Sequence, residues 1–291
     1  MLDLLASELI DIALKEDIGT GDLSSLILSD DTLGEARIFA KAQGVVCGLS
    51  VVQAVFARVE PQVRFDVRVQ DGDTVAPGDL VIGIEGRLAR ILQAERTALN
   101  FLQHLSGVAT ATARVVQAVE GYNLKVIDTR KTLPGMRALQ KYAVRIGGGQ
   151  NHRFGLYDAV ILKDNHLAAV GGLAEAMKRV RREVGPMVKI EVECETLQQV
   201  REAVECQADV IMLDNMSIPD MREAVKHIAG RAVVEASGGI NESNIRDIAA
   251  TGVDVVSLGR LTHSVKALDF SMVIDEAKPS IQQIIDQAKK R

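Results

Sequence analysis

Six short apolar segments in the second half of this chain each run into a group of polar residues. Short continuous runs rich in Val, Ile and Leu are typical of buried parallel strands, and helical periodicity fills most of the intervals between them. In a (β/α) barrel the carboxyl ends of the strands meet at one face, where active sites form. The sequence therefore predicts one mouth lined by six polar groups. The apolar segments span residues 124–127, 159–162, 188–192, 210–213, 232–235 and 253–258.

The first part of the chain follows a different pattern. Residues 3–16 carry apolar side chains at helical spacing, and between residues 35 and 86 apolar and polar residues alternate as in half-buried strands. A helix is predicted over 51–59 to cover this antiparallel sheet. Two more helices are predicted on either side of Gly107, a weak helix former. An α/β fold follows, with an N-terminal α+β sandwich domain that contains the antiparallel sheet and a C-terminal (β/α) barrel. The predicted boundaries are 1–107 for the sandwich, 108–274 for the barrel and 275–291 for a helix packing back on the sandwich.

The composition restricts the classes of function. A net charge of −5 and only 3% aromatic residues, with no Trp, argue against a surface that binds nucleic acid. The three cysteines lack metal-ligand spacing, and no apolar run reaches the ~18 residues of a membrane-spanning helix. The N-terminal residues also lack the pattern of a signal peptide. We expect a cytoplasmic protein that binds neither nucleic acid nor a membrane.

Cations follow the first two predicted strands. Arg130 and Lys131 are adjacent, which costs desolvation energy unless an anion lies between them. Glycines at 147–149 allow the backbone to approach a ligand closely, and His152 and Arg153 follow soon after. This pattern predicts an anionic substrate, and a salt-bridged rim is the alternative.

Carboxylates follow the third and fourth strands. Lys163 ends the second strand, and Glu193 and Asp214 end the next two. Oxygen ligands of this kind hold Mg²⁺, usually together with substrate phosphates. The alternative is that both carboxylates only neutralise Lys163 and Arg130, and the residues leave this choice open.

Glycine-rich loops follow the last two strands, at residues 237–239 and 258–260. Such loops after late barrel strands bind phosphate through backbone N–H groups, although tight turns use glycine as well. His166 and His263 are interpreted as structural. The residue types together suit a polyanionic substrate, a phosphorylated sugar and Mg²⁺.

Nine short motifs, taken in order along the chain, indicate a particular family. They occupy residues 16–22, 95–100, 128–132, 147–153, 163–166, 191–193, 213–215, 235–239 and 261–264. In content and order they resemble the quinolinate phosphoribosyltransferase family, almost from end to end. The resemblance implies that quinolinate and 5-phosphoribosyl-1-pyrophosphate react with Mg²⁺ to give nicotinate mononucleotide, pyrophosphate and CO₂, in de novo NAD biosynthesis.

The resemblance also implies roles for individual residues. Cations would surround the two carboxylates of quinolinate, and the glycine-rich loops would hold the 5-phosphate. Glu193 and Asp214 would face the ribose and the Mg²⁺–pyrophosphate, and would act in catalysis with Lys131 and Lys163. The implied substrate-binding residues are Arg96, Thr129, Arg130, Lys131, His152, Arg153, Lys163, Glu193, Asp214, Ser237, Gly238, Gly239, Leu258, Gly259 and Arg260.

Arg96 does not belong to the predicted barrel. It lies beside Glu95 on a long predicted helix, where the residues alone indicate a surface salt bridge. The resemblance implies instead a homodimer in which Arg96 reaches into the site of the partner subunit, with further assembly left open. It also implies an open barrel of fewer than eight strands, in agreement with the six apolar segments.

Two other functions remain to be distinguished. A related phosphoribosyltransferase with a different acceptor would share most of the site, although Arg130, Arg153 and Lys163 favour a dicarboxylate. A non-catalytic sugar-phosphate sensor could use the same scaffold, but it would not need Glu193 and Asp214. Turnover of quinolinate against nicotinate tests the first alternative, and tight binding without turnover would identify the second.

Overall fold

The computed structural model describes residues 2–274, and the predicted helix at 275–291 lies outside them. Two compact units are present. The first contains residues 2–111, 133–147 and 264–274, and the second contains residues 112–132 and 148–263. Residues 108–111, 133–147 and 264–274 cluster with the first unit, whereas the predicted boundary of 108–274 assigned all three segments to the barrel. Within residues 2–274, no helix has the length and apolar character needed to cross a membrane.

Strands and helices alternate through most of the described chain. The strands are β1 (Leu33–Ala40), β2 (Gly44–Val45), β3 (Arg64–Val67), β4 (Thr74–Val75), β5 (Leu80–Arg87), β6 (Lys125–Ile127), β7 (Val160–Leu162), β8 (Ile190–Cys194), β9 (Val210–Asp214), β10 (Val233–Ser237), β11 (Val255–Ser257) and β12 (Phe270–Ile274). The α-helices are α1 (Leu2–Ile18), α2 (Leu49–Val59), α3 (Leu88–Ala118), α4 (Arg137–Ile146), α5 (Asp164–Val170), α6 (Leu173–Glu183), α7 (Leu197–Glu205), α8 (Ile218–Ile228), α9 (Ile245–Ala249) and α10 (Arg260–His263).

The first unit is built on an antiparallel sheet with strand order β12-β1-β5-β3. Side chains along β1 alternate between buried and accessible, so Ala36, Ile38 and Ala40 enter the core. Helix α1 packs on α2 and α4. The antiparallel sheet and the helix over residues 51–59 are confirmed.

The second unit contains a six-stranded parallel sheet in the order β6-β11-β10-β9-β8-β7. Its strands match the six apolar segments, with ends shifted by no more than two residues. Strands β8 and β9 are buried along most of their length, which is why they read as continuous apolar runs. Consecutive strands are neighbours in the sheet except β6 and β7, which form its two edges. The predicted fold class is confirmed.

Helix caps follow directly on two strand ends. Thr196 accepts a hydrogen bond from the N–H of Gln199 at the start of α7, and Ser217 accepts one from the N–H of Asp220 at the start of α8. These caps satisfy N–H groups that the first turn of a helix leaves free.

The prediction of two helices separated at Gly107 is wrong, because this region forms the single helix α3. It continues through this glycine without a break. A Cβ atom at residue 107 would lie 2.5 Å from the carbonyl oxygen of Lys266 and 3.1 Å from the Cα of Ala267. Gly107 therefore allows a second backbone segment to approach α3, and it does not end the helix.

The variant Gly107→Ala tests this explanation. Helix propensity alone predicts a gain in stability of about 1 kcal/mol, but the Cβ atom would displace the backbone of Lys266. We expect a loss of about 1–3 kcal/mol in the free energy of unfolding, measured in urea. Gly185→Ala is the matched control, because a Cβ there meets nothing within 4 Å. A Gly107→Ala protein at least as stable as the wild type would contradict the packing explanation.

Candidate active site

A cavity of about 410 Å³ opens where the parallel strands of the second unit end. Nine residues predicted for the site line it, together with Ile161, Met212, Glu235 and Ser257. The nine are Thr129, Arg130, Lys131, His152, Arg153, Lys163, Glu193, Asp214 and Ser237. The remaining predicted residues, which do not line it, are Arg96, Gly238, Gly239, Leu258, Gly259 and Arg260.

The segment of residues 150–153 is held against the open edge of β6. The Gln150 N–H donates to a carbonyl of β6 at 2.8 Å, and the Asp128 N–H donates to the carbonyl of Gln150 at 3.2 Å. The buried carboxylate of Asp128 accepts bonds from the Asn151 side chain at 2.6 Å and from the His152 N–H at 2.9 Å. A buried carboxylate needs such partners, and these bonds fix the position of the segment.

Arg130 and Arg153 form the cationic side of the cavity. The Nη1 of Arg153 donates to the carbonyl of Ala159 at 2.9 Å, directly before β7. Its Nε is buried and has no hydrogen-bond partner within residues 2–274. Burial and the nearby charge of Arg130 lower the pKa of Arg153. Two guanidinium groups in this position repel each other, and a bound dianion would relieve the repulsion.

Lys163 and Glu193 form an ion pair between the ends of β7 and β8. The Glu193 side chain is mostly buried, whereas that of Lys163 is half exposed. Asp214, at the end of β9, accepts a hydrogen bond from the side chain of Asn215 at 2.9 Å. The pair with Lys163 corresponds to the neutralising role that the sequence left open. The two carboxylates also offer the hard oxygen ligands that Mg²⁺ prefers beside substrate phosphates, so this donor set fits Mg²⁺.

The glycine-rich loops pack against the ends of neighbouring strands. Gly238 and Gly239 have φ angles of 86° and 62°, which favour glycine. A Cβ atom on Gly238 would lie 2.2 Å from the Oδ1 of Asn215, and one on Gly259 would lie 2.8 Å from the Cδ of Lys131. The absence of side chains therefore brings one loop beside the carboxylates and the other beside the cations.

Other residues singled out in the sequence have partners within the chain. Arg260 pairs with Glu242 at 2.6 Å. The Nδ1 of His166 accepts a hydrogen bond from the N–H of Lys163 at 3.1 Å, which caps α5. The guanidinium of Arg96 is exposed and lies 4.0 Å from the carboxylate of the preceding residue.

Sequence reasoning missed Glu191 and Glu235 as members of the site. The Nε2 of His152 lies 3.1 Å from Glu191 and 3.5 Å from Glu235, and both glutamate side chains are buried. Two signals could have found them. Glu191 is two residues before Glu193, so both share one face of the strand. Glu235 is an acidic residue within an otherwise apolar run, where an unpaired charge would be costly.

The cluster of His152, Glu191 and Glu235 retains a proton at neutral pH. Burial lowers the pKa of His152, but the hydrogen bonds to both glutamates outweigh it and raise the pKa above its ordinary value. Burial also raises the pKa of Glu191. The Nδ1 of His152 accepts the N–H of Arg153 at 2.6 Å, so the ring proton is on Nε2, facing the glutamates.

These features define a class of protein: an α/β enzyme with an open parallel barrel whose mouth suits polyanionic, phosphorylated substrates. The family model described as quinolinate phosphoribosyl transferase, N-terminal domain, matches residues 22–106. The model of the C-terminal domain of the same family matches residues 108–273. The chain therefore belongs to the quinolinate phosphoribosyltransferase family.

Individual relatives match over nearly the whole chain. The chain is 44% identical to the probable nicotinate-nucleotide pyrophosphorylase (carboxylating) of Bacillus subtilis strain 168, over 92% of this chain and 93% of the relative. It is 40% identical to the mitochondrial quinolinate phosphoribosyltransferase (decarboxylating) 2 of Nicotiana glauca, over 92% and 82%. The crystal structure of NadC from Streptococcus pyogenes superimposes with a TM-score of 0.92 at 43% identity, over 95% of this chain and 98% of that one.

The anchoring role of Asp128 can be tested with Asp128→Asn. The amide keeps the shape of the side chain but turns one acceptor into a donor, opposite the donors of Asn151 and His152. We expect the free energy of unfolding to fall by about 1.5–3 kcal/mol, measured by chemical denaturation. The exposed Asp247, changed to Asn, is the control for loss of one negative charge. Equal stability of the two variants would show that Asp128 does not anchor the segment.

Proposed function

We propose that this protein transfers the phosphoribosyl group of 5-phosphoribosyl-1-pyrophosphate to quinolinate, giving nicotinate mononucleotide, pyrophosphate and CO₂. One observation carries the proposal: a single cavity joins Arg130, Arg153 and Lys163 to the carboxylates Glu193 and Asp214, in a chain of this family. Both substrates are anions that repel each other in water. Cations fixed at strand ends bring them together, which is catalysis by proximity.

Quinolinate binds through its two carboxylates. Arg130 and Arg153 provide planar, bidentate donors for carboxylate groups, with Lys131, Lys163 and Thr129 around them. This arrangement satisfies the guanidinium groups that repel each other in the cavity. It also leaves the ring nitrogen of quinolinate free to act as the nucleophile.

The ribosyl transfer breaks the bond between C1 of the ribose and the pyrophosphate oxygen. The electron pair leaves with pyrophosphate, and positive charge develops on the ribose. Glu193 and Asp214 stabilise this charge, because fixed carboxylates act strongly on charge that develops in a shielded site. The quinolinate nitrogen then forms the new bond to C1. Residues Ser237, Gly238, Gly239, Leu258, Gly259 and Arg260 hold the 5-phosphate.

Decarboxylation follows from the charge of the alkylated ring. The bond from ring C2 to its carboxylate breaks, CO₂ leaves, and the electron pair remains on C2 beside the cationic nitrogen. A proton from the medium then completes nicotinate mononucleotide. No side-chain nucleophile is required, and the chain's part is to bind and orient the two substrates.

Glu193 and Asp214 are the residues that would hold Mg²⁺. The ion would supply charge neutralisation to the departing pyrophosphate. We further propose a cytoplasmic location, which is supported by three cysteines that form no disulfide.

A turnover assay tests the proposal. Purified protein is mixed with quinolinate, 5-phosphoribosyl-1-pyrophosphate and Mg²⁺, and nicotinate mononucleotide and CO₂ are measured. We expect both products in equal amounts, and no product when nicotinate replaces quinolinate. Faster turnover of nicotinate would favour a different acceptor, and tight binding of the phosphorylated sugar without turnover would favour a sensor.

We also infer a homodimer in which Arg96 of one copy completes the site of the other. The support is the family resemblance and the exposed guanidinium of Arg96, which is available to a second chain. Such a cation would add to the charge that holds the anionic substrates.

Mixing two inactive variants tests the shared site. Arg96→Ala and Arg153→Ala chains are mixed, dissociated and reassembled. A mixed dimer would contain one intact site, so random pairing restores about a quarter of the wild-type activity. The control is each variant carried through the same procedure alone. Absence of restored activity in a demonstrated mixed dimer would place Arg96 in the site of its own chain.

A further inference from the structure

The reaction steps proposed above give no role to Glu191 or Glu235, and the family resemblance implies only that His152 is among the substrate-binding residues. Both glutamate side chains are more than nine-tenths buried, and that of His152 is 13% exposed. One carboxylate oxygen of each glutamate has no hydrogen-bond partner in the described part of the chain. Burying three titratable groups costs free energy, so their presence at the mouth needs an explanation.

A metal ion is the first explanation to consider. One ligand atom from each residue lies within 4.8 Å of the others, which is a suitable spacing. A metal-binding imidazole uses the lone pair of one nitrogen and donates the N–H of the other. Here the Nδ1 already accepts the N–H of Arg153, so the proton is on Nε2, which faces the glutamates. The ring therefore donates to Glu191 and Glu235, and the geometry does not favour a metal.

The contacts of His152 indicate instead a structural role toward Arg153, the next residue in the chain. Its backbone N–H is bonded to the buried Asp128, and its ring is bonded to Glu191 and Glu235. The Nδ1 of the same ring holds the N–H of Arg153. His152 is thus held at both its backbone and its side chain. Because its Nδ1 accepts the backbone N–H of Arg153, it also constrains the backbone from which the Arg153 side chain extends.

We propose that His152, Glu191 and Glu235 are positioning residues that hold Arg153 in place for a carboxylate of the acceptor, and that His152 does not itself bind the substrate. The proposal rests on the proposed function for the identity of that acceptor, quinolinate. His152 and Arg153 both line the cavity. Both ring nitrogens of His152 are already engaged by groups of the protein, whereas the Nε of Arg153 has no hydrogen-bond partner in the described part of the chain.

Electrostatics explain why Arg153 needs this support. Burial and Arg130 lower its pKa, and the negative charges of Glu191 and Asp158 counteract them. Without Glu191, less negative charge would offset the repulsion between Arg153 and Arg130. A planar dicarboxylate binds more tightly when its hydrogen-bond donors are preorganised, because less conformational freedom is lost on binding.

A double-mutant cycle tests the proposal through kcat/KM for quinolinate. The variants are His152→Phe, which keeps a ring but loses both nitrogens, Arg153→Lys, and the two combined. We expect His152→Phe to lower kcat/KM for quinolinate about tenfold while the KM for 5-phosphoribosyl-1-pyrophosphate stays unchanged. In the Arg153→Lys background the same change should cost less than about threefold, because the effect passes through Arg153.

Glu191→Gln provides a second, more conservative variant in case His152→Phe does not fold. It should raise the KM for quinolinate about fivefold and leave the KM of the other substrate unchanged. The exposed Glu205, changed to Gln, removes the same charge and should have no effect. Far-UV circular dichroism and the unfolding midpoint verify the fold of each variant.

The outcomes distinguish a failure of the positioning role from a failure of the proposed function. Equal, multiplicative losses from His152→Phe in both backgrounds would show direct contact with the substrate and overturn the positioning role. Loss of affinity for both substrates alike would also overturn it. If the wild-type protein forms no nicotinate mononucleotide at all, the proposed function fails, whatever the cycle shows.

Discussion

The open edge between β6 and β7 is the constraint on which the rest of the second unit depends. Five neighbour pairs of the parallel sheet are formed, and residue 150 forms a single bridge to the free edge of β6. An uncovered strand edge presents unpaired N–H and C=O groups. Asp128 secures the covering segment with two hydrogen bonds. The same segment carries Arg153, so the residues that cover the edge of β6 also provide part of the cationic side of the site.

Charge is distributed around the mouth in a way that a purely structural role does not explain. Arg130 and Arg153 repel each other, whereas Glu193 is paired with Lys163 across neighbouring strands. Placing like charges together in a half-buried cavity is unfavourable unless a ligand of opposite charge compensates. A dicarboxylate on one side and a phosphorylated sugar with Mg²⁺ on the other would satisfy both halves.

The sequence predicted the strands and their polar ends well, because a buried parallel strand leaves a short, continuous apolar signature. The strand pattern predicted the barrel, and the family resemblance added that it is open and completed the set of site residues, nine of which line the cavity. Sequence reasoning failed where the signal is not local. Gly107 was interpreted as a helix end. The structural reason for a glycine there is the close approach of Lys266, which is distant in the sequence and leaves no local signal. Residues 133–147 were assigned by position in the chain, although they cluster with the first unit.

Glu191 and Glu235 illustrate a second limit of sequence reasoning. The sequence analysis considered the residues at strand ends and did not consider those inside strands. Glu191 and Glu235 lie inside strands, and their carboxylates hold the ring of His152. Their function depends on strands that are distant in sequence and become near neighbours only in the folded sheet. Pairing of this kind follows from topology, and the order of strands in the sheet had to be known first.

The central claim is that cations held at the strand ends bind a dicarboxylate. A crystal structure of the protein with quinolinate tests it most directly. We expect the two carboxylates within hydrogen-bond distance of Arg130 and Arg153, with the Nε2 of His152 still bonded to Glu191 or Glu235. Quinolinate bound away from these arginines would contradict the claim.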